Sequence, residues 1–276
     1  MVWFLESLTA SIIPNAPLRI KPKLAPAWGA EVVSSNIVGY NKMTFEPGFA
    51  IVGTQFFNVG ADVKDLQELF GTDHTLPGIT AQGACQTELC RWREGQYQIY
   101  GWVADGQGSD PGLLDDASYD AKWVDKDSWD VAEDIEVAPG EAFWIKTPAN
   151  GIATMSGEVK SEDKATLNLS VGFVLASNPF PEKMDIQKVK PDANVLGINA
   201  AGEFQTELRL WRDGQYKIYG WVADGQGSNP DLLDDASYDA KWVDKDSWAV
   251  AENVDIEIGE GFWIKTLGTG SIEFTK

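Results

Sequence analysis

Along most of this chain, apolar and polar residues alternate in short runs cut by Gly, Pro and Asp-Gly, the pattern of strands rather than helices. Ile37 to Phe45 and Phe49 to Phe57 are two such runs, split by Pro47-Gly48. Thr166 to Leu169 and Phe173 to Ala176 repeat the arrangement. The sharpest hairpin runs from Leu208 to Trp221, where Asp213-Gly214 supplies the two-residue turn whose positions both need positive φ. That turn sets a register in which Trp211 faces Tyr216 and Arg209 faces Ile218 on one side, with Leu208 opposite Tyr219 on the other. Glu94-Gly95 takes the same turn upstream, with Trp92 opposite Tyr97. Further strands are expected at Gly140–Thr147, Gly259–Thr266, Ile152–Ser156 and Ser271–Thr275. Helical spacing is confined to Ala61–Phe70, with apolar Val63, Leu66, Leu69 and Phe70, and more weakly to Met184–Val189.

Much of this pattern is written twice. Gln86–Thr147 and Gln205–Thr266 align without a gap at an offset of 119, and 48 of the 62 positions are identical. An offset near 124 pairs the stretch around Pro47–Phe56 with Ser170–Phe180. A period this long is a domain-sized unit, not a solenoid repeat. The reading is an all-β chain of two tandem, similar β-sandwich or barrel-like modules, residues 31–157 and 158–276, each with at most one short helix. Residues 1–30 stand apart. Their apolar run at 2–13 is broken by Glu6, is too short to span a bilayer and has no basic flank, so the stretch reads as a degraded secretory signal or a disordered tail.

A formal charge of −20 argues against nucleic acid and anionic membranes, both of which call for clustered Lys and Arg. It suits a soluble extracellular protein or one that holds cations. The two cysteines, Cys85 and Cys90, face Phe204 and Arg209 in the second copy, and His74 has no counterpart. Neither a shared disulfide nor a shared histidine site fits, and the cysteines read as free thiols.

The Ser35–Tyr40 run SNIVGY, the Pro-Gly-Phe turn at 47–49 and the Pro139–Lys146 segment PGEAFWIK are similar to motifs of small all-β modules in an uncharacterised family of secreted bacterial proteins. The resemblance covers about residues 31–276, and the second copy lacks the SNIVGY segment. It implies an extracellular or cell-surface β-module and brings no catalytic residues.

Two sets of residues stand out as candidate sites. Calcium takes several oxygen ligands from flexible, Gly-containing loops, and the Asp-rich insert offers Asp105, Gln107, Ser109, Asp115 and Asp116, repeated as Asp224, Gln226, Ser228, Asp234 and Asp235. The same residues also suit an ordinary solvated turn. Tyr119, Trp123 and Trp129, repeated as Tyr238, Trp242 and Trp248, flank that insert and could stack on sugar rings, or could be core. Paired carboxylates such as Asp115 and Asp116 could in principle cleave a glycoside. No nucleophile elbow, phosphate loop or metal-spaced His/Cys set is present. The expected function is therefore non-enzymatic: a secreted or surface-displayed structural or adhesive protein, with itself as one candidate partner. The alternative is a pair of carbohydrate-binding modules directed at extracellular glycans, and a hydrolase comes last.

Overall fold

The computed structural model describes residues 38–58, 61, 63–70, 74–159 and 161–276, so the stretch at 1–30 lies outside them. The chain is all-β. In the first half the strands are β1 (Val38–Phe45), β2 (Gly48–Gly53), β3 (Phe56–Phe57), β4 (Lys64–Asp65), β5 (Glu88–Arg93), β6 (Gln96–Val103), β7 (Lys122–Asp125), β8 (Glu136–Val137), β9 (Ala142–Thr147) and β10 (Gly151–Val159). In the second they are β11 (Lys164–Leu169), β12 (Gly172–Ser177), β13 (Met184–Asp185), β14 (Val189–Pro191), β15 (Thr206–Arg212), β16 (Gln215–Val222), β17 (Lys241–Asp244), β18 (Asp255–Ile256), β19 (Gly261–Thr266) and β20 (Gly270–Thr275). A five-stranded sheet in each half runs β2, β9, β5, β6, β7 or β12, β19, β15, β16, β17. A three-stranded sheet faces it, β1, β10, β3 or β11, β20, β14, and a two-stranded ribbon (β4 with β8, β13 with β18) completes the set.

The hairpin registers follow from the turns. Asp213 and Gly214 take φ of 53° and 73°, and Trp211 pairs with Tyr216 and Arg209 with Ile218, as the Asp-Gly turn requires. Glu94 and Gly95 do the same at 50° and 82°, setting Trp92 against Tyr97. Period-2 alternation then sorts the faces. Leu89, Tyr100, Trp102, Phe143 and Ile145 point into the first core, and Leu208, Tyr219, Trp221, Phe262 and Ile264 into the second.

The helix expected over Ala61–Phe70 is a single 3-10 turn, Leu66–Glu68, and its partner is Ile186–Lys188. Leu66, Leu69 and Phe70 are buried, so the apolar signal was real. The backbone is committed elsewhere: Lys64–Asp65 pairs with Glu136–Val137, and the Asp65 carboxylate accepts from Gln67 N, closing the turn at once. The Gln67 amide is spent on Trp123 N (2.9 Å), Trp123 O (2.8 Å) and Ala132 O (2.9 Å), which ties the segment across the sheet end. Each half carries a second single turn, Ala117–Tyr119 or Ala236–Tyr238, in the acidic insert. Among the described residues no helix is long and apolar enough to cross a membrane.

The halves meet through the outer faces of their five-stranded sheets. Bridges join Val52 to Glu260 and Glu141 to Ala176, with Gly53 N donating to Gly259 O (2.9 Å) and Ser177 N to Gly140 O (2.8 Å). Around this seam Ile51, Ala142, Leu175 and Trp263 are buried, with Trp92, Trp144 and Trp211 against them. The rings form two matching ladders, each crossing the seam. One runs Phe49–Trp144–Trp211–Tyr216, with centroids 6.0, 5.8 and 4.9 Å apart. The other runs Phe173–Trp263–Trp92–Tyr97, at 5.9, 5.5 and 4.8 Å. All six contacts are edge-to-face, the geometry that the ring quadrupole favours.

Candidate functional site

The acidic insert is a self-bonded loop. Gln107 Oε1 accepts from Ile79 N (2.7 Å) and Ala104 N (3.1 Å) while Nε2 donates to Ile79 O (2.9 Å), so its amide is used up by main chain. Gln226 does the same with Ile198 and Ala223. Asp116 and Asp235 accept from the amides of Ser118 and Ser237, capping the 3-10 turns; hydrogen bonds from the main chain and side chain of Ser118, and from the side chain and main chain of Ser237, hold the two carboxyls below the usual range. Asp120 accepts from Gly108 N (2.7 Å) and Ser109 N (3.0 Å). Asp105, Ser109, Asp115, Asp224, Ser228 and Asp234 are exposed on the loop surface, with Asp115 and Asp234 at φ of 56° and 53°. Among the described residues no three His, Cys, Asp or Glu side chains converge as a metal set. Gln107 and Gln226 are therefore corrected from candidate ligands to loop staples. Millimolar calcium followed by chelator is expected to leave the melting temperature unchanged. A site saturated at 100 times its dissociation constant would add about 2.7 kcal/mol, and a shift of that size would reverse the correction.

The expected sugar-stacking surface is also corrected. Trp123 and Trp242 are 1% and 0% exposed and pack on Trp102 and Trp221 at 5.2 Å in the two cores. Trp242 Nε1 also donates to Val189 O (2.7 Å). The alternation in Lys122–Asp125 and Lys241–Asp244 turns the indole inward and the following valine outward. Trp129, Tyr119 and their counterparts Trp248 and Tyr238 are half-buried in two small clusters on the outer sheet faces, over Val103 and Val124 or Val222 and Val243. Neither set presents a free row of aromatic faces. Cys85 and Cys90 are free, and burial pushes the Cys90 thiol up to about 11.

The concave surface lies instead at the seam. A cleft of about 790 Å³ opens between the β11–β12 corner of the second half and two elements of the first: the β5–β6 hairpin tip at Trp92–Gly95 and the segment Ala138–Glu141. Leu167, Val174, Phe173 and Phe274 give it apolar walls, and Thr166, Asn168 and Ser170 line it with polar groups. Glu141 is fixed at its side by Arg91 (2.5 Å) and Arg93 (2.8 Å). Trp92 Nε1 reaches across the seam to donate to Phe173 O (2.9 Å).

The equivalent place on the first half is filled. Asn41 pairs with Met155 and Ala165 with Phe274, so Asn41 and Ala165 occupy one position of the repeated frame. The offset that pairs Ala50 with Val174, each opposite an isoleucine of the neighbouring strand (β9 or β19), makes Gln55 the counterpart of Pro179. Asn41 and Gln55 are 7% and 0% exposed. They sit against Gly259, where a Cβ would lie 2.5 Å from Asn41 Nδ2 and 3.7 Å from Gln55 Nε2. Asn41 Nδ2 and Gln55 Oε1 are buried without partners. On the second half Ala165 and Pro179 leave that space open beside Gly140. The Gln55/Pro179 difference was visible in the aligned segments, but nothing in the sequence said that these positions flank a seam between halves. No family model, curated protein or solved structure matches this chain.

Proposed function

We propose that this chain is a non-catalytic structural or adhesive protein, secreted or displayed on a bacterial surface in keeping with the family its motifs resemble, and that it works by holding a partner in the seam cleft. One observation carries the reading: the repeated frame is plugged by Asn41 and Gln55 on one side and left open by Ala165 and Pro179 on the other. A gap that merely followed from duplication would recur in both halves. A second reading, glycan binding, draws support from Thr166, Asn168 and Ser170 beside the partly exposed ring of Phe173.

The test fills and opens the space. Ala165→Leu is expected to keep stability within about 1 kcal/mol of the native chain, because the added side chain enters open volume. It should abolish binding of any partner that perturbs tryptophan emission through Trp92. The converse pair Asn41→Ala with Gln55→Pro removes the unpartnered Asn41 Nδ2 and Gln55 Oε1, together with the bond from Gln55 Nε2 to Gly53 O (3.0 Å), and should raise the stoichiometry from one partner per chain to two, read by titration calorimetry. Binding that ignores Ala165→Leu would overturn the cleft reading.

A further inference from the structure

We infer that the occupant of the cleft is an extended, basic polypeptide segment of a partner protein, added as a strand along the free edge of β11; this rests on the cleft reading above. β11 and β12 are edge strands of different sheets, and both border the cleft. Lys276 N donates to Asp163 O (2.9 Å), which places Asp163 in a pair that bonds toward the β20 side. Antiparallel ladders alternate, so Ala165 and Leu167 bond to β20, and the main-chain N–H and C=O of Thr166 and Asn168 face the open edge.

The β12 edge is already occupied. Trp92 takes the Phe173 carbonyl, and Ser177 N bonds to Gly140. One free edge beside an apolar slot is the arrangement that strand addition uses, with main-chain hydrogen bonds for affinity and alternate side chains for selectivity. Alternate residues of the guest would point toward Leu167 and Phe274, and the others to solvent.

The same geometry disfavours sugar stacking. Trp92 is engaged edge-to-face by both Trp263 and Tyr97. The ring of Phe173 is covered by the Arg209 guanidinium at 5.2 Å and packs on Trp263. Phe173, at 42% exposure, is then the one cleft aromatic left to a sugar, and an arginine already lies over it. Charge supplies the rest at long range: the chain carries −20, while at the cleft wall Arg91 and Arg93 pair with Glu141 and leave the Glu94 carboxylate beside them. A field of that sign draws a cationic segment and repels an acidic one.

The full chain is titrated by fluorescence anisotropy with labelled synthetic decapeptides that alternate valine and lysine, with a scrambled control and a valine–glutamate control. Two further alternating peptides are N-methylated on every second amide, one on each of the two possible sets. The alternating basic peptide should bind best. N-methylation should weaken it at least tenfold on one set and leave it near the parent on the other. Thr166→Pro deletes an outward N–H without touching the β20 ladder and should lower affinity at least tenfold with an unchanged far-UV spectrum. Equal loss from both methylated sets, no loss from either, or equal binding of the acidic peptide would overturn the inference. If no peptide binds but an arrayed glycan does, and Ala165→Leu blocks it, strand addition falls while the cleft reading stands. If Ala165→Leu changes no interaction, both fall.

Discussion

Trp242→Ala is expected to destabilise the chain by about 3–5 kcal/mol, the range for emptying a fully buried tryptophan site. Trp242 is 0% exposed, packs on Trp221 at 5.2 Å and donates its indole N–H to Val189 O. Its backbone is clamped as well: Gln187 accepts from Trp242 N and donates to Trp242 O and Ala251 O. Alanine would leave a cavity between the two sheets and strip the Val189 carbonyl of its indole partner, while the main-chain bonds to Gln187 would remain. Trp248→Ala should cost less, because Trp248 is half-buried over the outer face and stacks mainly on Phe204 at 4.6 Å. Urea melts of both variants decide the matter. A Trp242→Ala loss below about 1 kcal/mol, or a Trp248→Ala loss as large as that of Trp242→Ala, would show that the indole assignments are reversed.

That contrast marks where sequence reading reached its limit. Strand positions and hairpin registers were legible because they depend on local chemistry: Asp213-Gly214 sets a turn, the turn sets the pairing, and alternation sets the faces. Trp242 was harder, because a four-residue strand gives two turns of alternation and no indication of which face is covered. The Asp residues of the insert were ambiguous for a similar reason, since carboxylates that cap turns and carboxylates that bind cations look alike until their partners are seen. Gln107 shows this most clearly. Both ends of its amide bond Ile79, a residue 28 positions away that no local rule connects to it. The cleft was out of reach altogether. It depends on how two halves with matching strands approach each other, and on small differences such as Asn41 against Ala165 that only a shared structural position makes comparable.

Gly53→Ser should prove the second severe change, at about 3 kcal/mol or more, at the upper end of overpacking costs. Gly53 and Ser177 are counterparts in the two halves, and they face each other across the seam. A Cβ on Gly53 would sit 1.9 Å from Ser177 Cβ and 2.1 Å from its Oγ. Neither atom can swing away, since the Ser177 hydroxyl is held by Glu141 O (3.1 Å) and its amide by Gly140 O (2.8 Å). The halves would have to separate, which breaks the bond from Gly53 N to Gly259 O and opens both ring ladders. A second glycine shows the same economy: Gly261 faces Ile51 and Ala142, where a Cβ would lie 2.4 and 2.9 Å away. At each tight point the chain keeps one small partner, so the duplicated sequences have diverged where identity would collide. The decisive measurement is a double-mutant cycle. Gly53→Ser with Ser177→Gly moves the side chain to the other half and should recover most of the lost stability, a coupling well above the 0.3–0.5 kcal/mol expected of independent sites. A Gly53→Ser variant that melts like the native chain, or one that Ser177→Gly fails to rescue, would mean that the halves do not meet at this point.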